Sequence, residues 1–318
     1  MINTCNICSR NCNLNKESFC GKYRLNNNKI ESTTHDILVS SISVDPIEKK
    51  PLYNYKPGTD TLSLGSTNCN FKCKNCQNHT IAQPESDIPL TKITIAEIIA
   101  ACENNKCKSI SWTYNEPTLL LPQAIETAKQ AKLHDLKTIF VTNGYQTINS
   151  INKMKNYIDA VNIDIKSMDE KFYKDICNAD LKPVLNTTRE FIKLNIHTEI
   201  TNLIIEGYND NESNIRQLAQ FIYSLSPNIP LHLTRFYPQY KLLNAPITSE
   251  KTLNQAYDIC KEEGLEYVYL GNIQSDKTNT YCPNCNYLLI SRQNEIKIFY
   301  DQDQDICPNC GNGINIKK

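Results

Sequence analysis

Eleven of the fifteen cysteines in this 318-residue chain fall into three spaced groups. Cys69, Cys73 and Cys76 follow a Cys-x3-Cys-x2-Cys spacing, which puts three thiols into eight residues. A structural zinc site takes four ligands and is closed. Three thiolates without a near fourth better suit an iron–sulfur cluster that leaves one iron open. His79 as a fourth donor would make a zinc site instead. Cys282, Cys285, Cys307 and Cys310 form two Cys-Pro-Asn-Cys knuckles separated by 21 residues. That is the pattern of a zinc ribbon. Cys5, Cys8, Cys12 and Cys20 could hold structural zinc, the first expectation, or an auxiliary iron–sulfur cluster. Thiolates serve both metals, and spacing does not decide between them. Cys102, Cys107, Cys177 and Cys260 remain and read as buried structural thiols.

Positioning these groups is the work of the central segment. Short β-type runs are expected at Thr61–Ser66, Lys108–Trp112, Thr138–Val141, Ala160–Ile165, Thr198–Ile205, Leu231–Arg235 and Glu266–Leu270. Stretches of helical period lie between most of them. One opens with the capping box Thr94-Ile95-Ala96-Glu97. Alternating strands and helices imply right-handed crossovers and a parallel sheet. Six or seven such units predict an α/β fold, a partial TIM-type (β/α)6 barrel, with a doubly wound sheet as the competing architecture. In a barrel, function sits at the carboxyl ends of the strands. Polar motifs fall at those ends: Cys76-Gln77-Asn78, Thr113-Tyr114-Asn115-Glu116-Pro117 and Thr142-Asn143-Gly144. In Val161-Asn162-Ile163-Asp164-Ile165-Lys166 the polar residues share one face of a strand. A polar face on a central strand is costly unless it binds something.

The Cys69/Cys73/Cys76 loop after the first strand of such an array resembles that of the radical S-adenosylmethionine (SAM) superfamily. Asp45-Pro46-Ile47-Glu48-Lys49-Lys50-Pro51-Leu52, Cys76-Gln77-Asn78, Thr113–Pro117 and Arg235-Phe236-Tyr237-Pro238 extend the likeness over nearly the whole chain. Together they resemble the AmmeMemoRadiSam system radical SAM proteins, relatives of the activating enzymes of pyruvate formate-lyase. The resemblance implies a [4Fe-4S] cluster on Cys69, Cys73 and Cys76, with SAM chelating the open iron. Reductive cleavage of SAM would give a 5′-deoxyadenosyl radical that abstracts hydrogen from a protein or a small molecule. Gln77 and Asn78 would lie beside the cofactor. Asn115 and Glu116 would stand where the family meets the SAM amino group, and Lys166 would reach the SAM carboxylate beside Asp164. Thr142 and Asn143 would form the turn after the third strand. A bland alternative is that Asp164 and Lys166 simply pair with each other. The resemblance also implies a ferredoxin or flavodoxin as electron donor and work alongside Memo-like and AMMECR-like proteins.

The sequence departs from the pattern at three places. Asn75 stands where an aromatic residue usually precedes the third cysteine, Val141 replaces an aspartate of a cation site, and Tyr237 replaces a histidine. His232 reads as a satisfied core histidine rather than a ligand.

The expected organisation is a Cys-rich segment over residues 1–57, the barrel over 58–275 and the zinc-ribbon module over 276–318. Lys+Arg and Asp+Glu both number 34, giving a net charge of zero. That balance argues against a broad nucleic-acid or anionic-membrane footprint. No apolar run approaches the ~18–20 residues of a membrane helix. The first residues lack signal-peptide regions, so a cytoplasmic location is expected. In that reducing compartment the cysteines read as metal ligands before disulfides. A non-enzymatic zinc adaptor or nucleic-acid-binding protein is the competing function. It accounts for neither the three-thiol loop nor the polar strand ends.

Overall fold

The computed structural model describes residues 3–318. Its centre is an eight-stranded sheet. The strands are β1 (Ser41–Pro46), β2 (Asp60–Gly65), β3 (Ser109–Trp112), β4 (Lys137–Thr142), β5 (Ala160–Asp164), β6 (His197–Ile204), β7 (Leu231–Arg235) and β8 (Val268–Gly271). Strands β2 to β8 are parallel and lie side by side in chain order. The order never reverses, so the sheet lacks the switch point of a doubly wound fold. Seven parallel strands are present, one at each of the seven runs the sequence marks. β1 is an addition: it pairs antiparallel with β2. It lies within the stretch that the sequence assigned to the Cys-rich segment.

Six helices supply the crossovers: α1 (Ile95–Asn104), α2 (Leu121–Leu133), α3 (Ile148–Met154), α4 (Leu181–Lys193), α5 (Glu212–Leu225) and α6 (Glu250–Glu262). Thr94 and Glu97 form the expected capping box at the start of α1. Cys102 and Cys260 are fully buried on the apolar faces of α1 and α6, as their helical spacing predicts.

Cross-strand register sorts the sheet into two faces. Leu64, Trp112, Phe140 and Val161 fall in line on one face, as do Ile163, Ile200 and Leu231. All belong to the main apolar core. Ser63, Ser111 and Ile139 share the opposite face, with Asn162 and Glu199, then Asp164, Thr201, His232 and Tyr269 further along. Residues 47–55 plug this second face: Ile47, Leu52 and Tyr55 pack on Ile139 and Ala160.

At the bottom of that face sits a buried polar knot. The Glu199 carboxylate accepts hydrogen bonds from Nε2 of His197 (2.9 Å) and His232 (2.7 Å) and from the N–H groups of Tyr53 (2.9 Å) and Asn54 (2.8 Å). Burial alone would raise its pKa, but the two histidines hold it down to about 2. His232 is therefore a satisfied core residue.

The last forty residues form a small unit with its own core of Leu289, Ile290, Tyr300, Ile314 and Ile316. Leu288–Ser291 pairs antiparallel with Lys297–Ile298 in a hairpin. Asp301–Asp305 is an exposed loop. Arg292 ties the unit to the plug of residues 47–55, donating to Thr280 Oγ1 (2.7 Å) within the unit and to the Tyr53 carbonyl (2.6 Å). Among the described residues no helix is long and apolar enough to cross a membrane.

Candidate metal and cofactor site at the strand ends

The loop after β2 carries Cys69, Cys73 and Cys76 at the carboxyl edge of the parallel sheet. Gly65 lets it begin there: a Cβ would meet the Tyr114 ring at 2.7 Å, so no larger residue fits without moving that ring. Asn115 then shapes the loop. Its Oδ1 accepts from the Ser66 N–H (2.9 Å), and its Nδ2 donates to the carbonyls of Thr67 (3.2 Å) and Asn68 (2.9 Å). Asn78 closes the far end by donating to the Tyr114 carbonyl at 2.8 Å. Gln77 is exposed.

Glu116 is buried at the end of β3 and is fully engaged within the protein. Its Oε1 accepts from the Thr118 N–H (3.1 Å), the Thr118 hydroxyl and the Thr142 hydroxyl (2.8 Å), and its Oε2 accepts from the Asn143 N–H (2.8 Å). Burial nevertheless raises its pKa. This carboxylate ties the end of β3 to the turn after β4. Gly144 completes that turn at φ +72°, a conformation costly for other residues. Asn143 passes the tie on to the loop: its Nδ2 donates to Asn70 Oδ1 at 2.7 Å and lies 3.6 Å from Cys69 Sγ. The Phe71 N–H also points at Cys69 Sγ, at 3.3 Å.

Asp164 is the last residue of β5 and Lys166 stands just beyond it; the two form the expected ion pair at 3.1 Å. Their side chains keep 18% and 36% of their exposure. Among the described residues Asp164 is the sole hydrogen-bond partner of the ammonium, which leaves N–H groups for a ligand carboxylate. Burial works against the charge on Lys166, but Asp164 and the nearby thiols of Cys73 and Cys177 outweigh it and raise its pKa well above the usual value.

The sequence marks Cys177 only as a buried structural thiol; the fold brings it to the site. It ends the π-helical turn Tyr173–Cys177. Its carbonyl accepts from the Lys72 N–H (3.0 Å), the Ile176 carbonyl accepts from the Lys74 N–H (2.9 Å), and its thiol lies beside Cys73. Only proximity in space reveals this. A π-turn at a functional site is a recurrent feature, but it leaves no local sequence mark. His79 is otherwise engaged: its ring stacks on Tyr240 at 4.5 Å, and its Nδ1 faces the Cys76 carbonyl at 3.3 Å. Asn75, at the position expected to be aromatic, is buried with Oδ1 unpaired. Tyr237 is exposed at the rim.

The three cysteine groups differ in geometry. The C-terminal thiols of Cys282, Cys285, Cys307 and Cys310 all lie within 4.8 Å of one another. The Cys282–Cys310 and Cys285–Cys307 sulfurs are each 3.7 Å apart. A tetrahedron with Zn–S bonds of about 2.3 Å has an edge of about 3.8 Å. The Asn309 amide and the Tyr287 N–H draw the Cys285 thiol down to about 6, which favours the ligating thiolate. Among the described residues neither Cys69/Cys73/Cys76 nor Cys5/Cys8/Cys12/Cys20 gathers its sulfurs this closely. Spread thiols suit a cluster, in which each thiolate binds its own iron. The central loop thus has the donor set and spacing for an iron–sulfur cluster, with the Lys166 ammonium across the mouth.

The family model of the radical SAM superfamily matches residues 64–222. An uncharacterized protein of Methanocaldococcus jannaschii is 40% identical over 319 residues, covering 98% of this chain and 95% of that one. A candidate glycyl-radical enzyme activating enzyme of the same organism is 25% identical over 219 residues, covering 68% of this chain and 80% of its own. The crystal structure of a radical SAM methyltransferase from Sphaerobacter thermophilus superposes with a TM-score of 0.51 at 15% identity, covering 67% of this chain and 66% of that one. This last likeness concerns the fold.

Proposed function

The chain belongs to the radical SAM superfamily, and on that footing we propose that it cleaves SAM by one-electron reduction and abstracts hydrogen from a substrate. Cys69, Cys73 and Cys76 would hold the [4Fe-4S] cluster. When bound and reduced, the cluster supplies the electron that splits the sulfonium C–S bond. The observation that carries the reading is the three spread thiols facing the Lys166–Asp164 pair across the ends of parallel strands.

The protein's own groups have separable tasks in this reading. Lys166 receives the SAM carboxylate through charge-assisted hydrogen bonds, while Asp164 orients the ammonium. Glu116, Thr142 and Asn143 act behind Cys69 and hold the loop in shape. The unpaired Oδ1 of Asn75 offers a buried acceptor to the bound cofactor. The sheet would curve as a partial barrel around the site, and the C-terminal unit would be a zinc ribbon that secures residues 47–55 through Arg292.

The glycyl-radical activating relative supports hydrogen abstraction from a protein as one form of the reaction. The sequence resemblance supports a ferredoxin or flavodoxin as donor and Memo-like and AMMECR-like proteins as partners. The test is anaerobic loading with iron and sulfide, reduction, and measurement of 5′-deoxyadenosine formed from SAM. A chain with about four irons on the central loop that forms none would overturn the reading. Lys166→Ala should weaken SAM binding while the iron content stays at the wild-type level.

A further inference from the structure

We propose that Cys5, Cys8, Cys12 and Cys20 bind a second iron–sulfur cluster of the [4Fe-4S] class rather than a single zinc ion. The four thiols line one cavity, whose wall also includes Asn70 and Tyr23. Cys5, Cys8 and Cys20 are buried, and Cys12 is partly so. They are near enough to feel one another's charge. Yet no three of them bring their sulfurs within 4.8 Å of one another. The ribbon in the same molecule does so, with edges that match a zinc tetrahedron. The N-terminal set is spread like the central loop. A site for one ion should close around one point, whereas a cluster holds its four thiolates on four irons.

The second observation concerns hydrogen bonds. Asn70 is fully buried, and its Nδ2 lacks a full hydrogen bond while facing the Cys8 thiol. Tyr23 is 4% exposed, and its Oη has no partner. Two unsatisfied donors on the wall of one cavity are costly unless something there accepts from them. Thiolates and inorganic sulfides of a bound cluster are such acceptors, and hydrogen bonds of this kind tune iron–sulfur clusters. Positive charge stands nearby to balance them. Lys22 is buried close to Cys20. Arg10, also on the cavity wall, donates to the carbonyls of Asn70 (2.8 Å) and Asn178.

The cavity abuts the central site. Asn70 lies between Cys69 and Cys73 in the chain, and its Oδ1 accepts from Asn143. The Asn68 amide donates to the Cys20 carbonyl at 3.1 Å, and Lys22 Nζ to Thr67 Oγ1 at 2.9 Å. The two cysteine sets therefore share a wall, although 49 positions separate Cys20 from Cys69.

The site stands apart from the radical reading, and the experiment keeps the two distinct. The full chain carrying Cys69→Ala, Cys73→Ala and Cys76→Ala is loaded anaerobically with iron and sulfide. Iron, labile sulfide and zinc are then counted, and the dithionite-reduced protein is examined by electron paramagnetic resonance. About four irons and a reduced-cluster signal are expected, with about one zinc on the ribbon. An iron-free protein with about two zinc ions overturns the proposal. Should the triple variant fail to fold, the unmodified chain decides. About eight irons and one zinc support a second cluster, and about four irons, with or without a second zinc, refute it. In the otherwise unmodified chain, Cys5→Ser with Cys8→Ser should lose about half of the iron and keep the ribbon zinc.

Discussion

Glu116→Gln separates a carboxylate that braces the cysteine loop from one that binds SAM. In the folded protein three donors converge on Oε1 and one on Oε2. A glutamine can keep its carbonyl oxygen on the three-donor side. Its NH2 then faces the Asn143 N–H, donor against donor, and both are left unpaired in a buried site. Each costs about 1–3 kcal/mol. Part of this is recovered because the buried charge, already penalised by desolvation, is gone. A net loss of about 2 kcal/mol corresponds to about 30-fold in the opening of the Asn143 turn. That turn holds Asn70 and touches Cys69 Sγ, so the effect should emerge at the cluster. The assay loads both proteins anaerobically and follows iron transfer to excess chelator, with SAM affinity measured by equilibrium dialysis. The variant should fold and release iron about 10- to 30-fold faster. Release at the wild-type rate together with weakened SAM binding would refute the reasoning and make Glu116 a SAM ligand.

Three other outcomes follow from the geometry. Cys177→Ala should cost about 1–2 kcal/mol of stability for a vacated buried site, yet leave the iron count unchanged; loss of one cluster's worth of iron would make Cys177 a ligand. Glu199, whose pKa is lowered from 4.5 to about 2, contributes stability that is fully present above pH ~4.5 and is lost as pH falls toward ~2. Against Glu199→Gln, which cannot titrate there, the wild type should lead by about 3 kcal/mol above pH 5, and the lead should shrink on acidification in denaturant melts; a gap independent of pH refutes the assignment. Arg292→Ala should cost about 3 kcal/mol and speed hydrogen exchange in residues 280–300 and 47–56. Lysine should not rescue it, because one ammonium cannot replace the planar fork that reaches Thr278, Thr280 and Tyr53; unchanged exchange would show that other contacts hold the ribbon.

The parts of this protein legible in its sequence are those written at short range. The seven parallel strands fall where short apolar runs alternate with helical spacing, because burial on one face imposes a period. The C-terminal hairpin and the Thr94 capping box rest on neighbours a few residues apart. β1 was not foreseen. Its Ser41-Ile42-Ser43-Val44 run is short and half-polar, and it becomes a strand through pairing with β2. The bonds by which Asn115 and Glu116 brace the loop and the strand ends were likewise invisible in the sequence.

Local spacing determined which residues could bind metal, since a ligand motif is a matter of residue type and reach. Distance between elements decided the rest. The buried knot joins Glu199 to Tyr53 and Asn54 across about 145 positions, and Cys177 reaches Cys73 through a turn that carries no motif. Four cysteines near the C-terminus close to the edge length of a zinc tetrahedron, while four near the N-terminus stand apart around a cavity. Spacing along the chain limits how far sulfurs can lie from one another. How near they come depends on the packing beneath them: the C-terminal set sits on its own small hairpin core, and the N-terminal set lies against Asn70 and Tyr23 beside the cysteine loop.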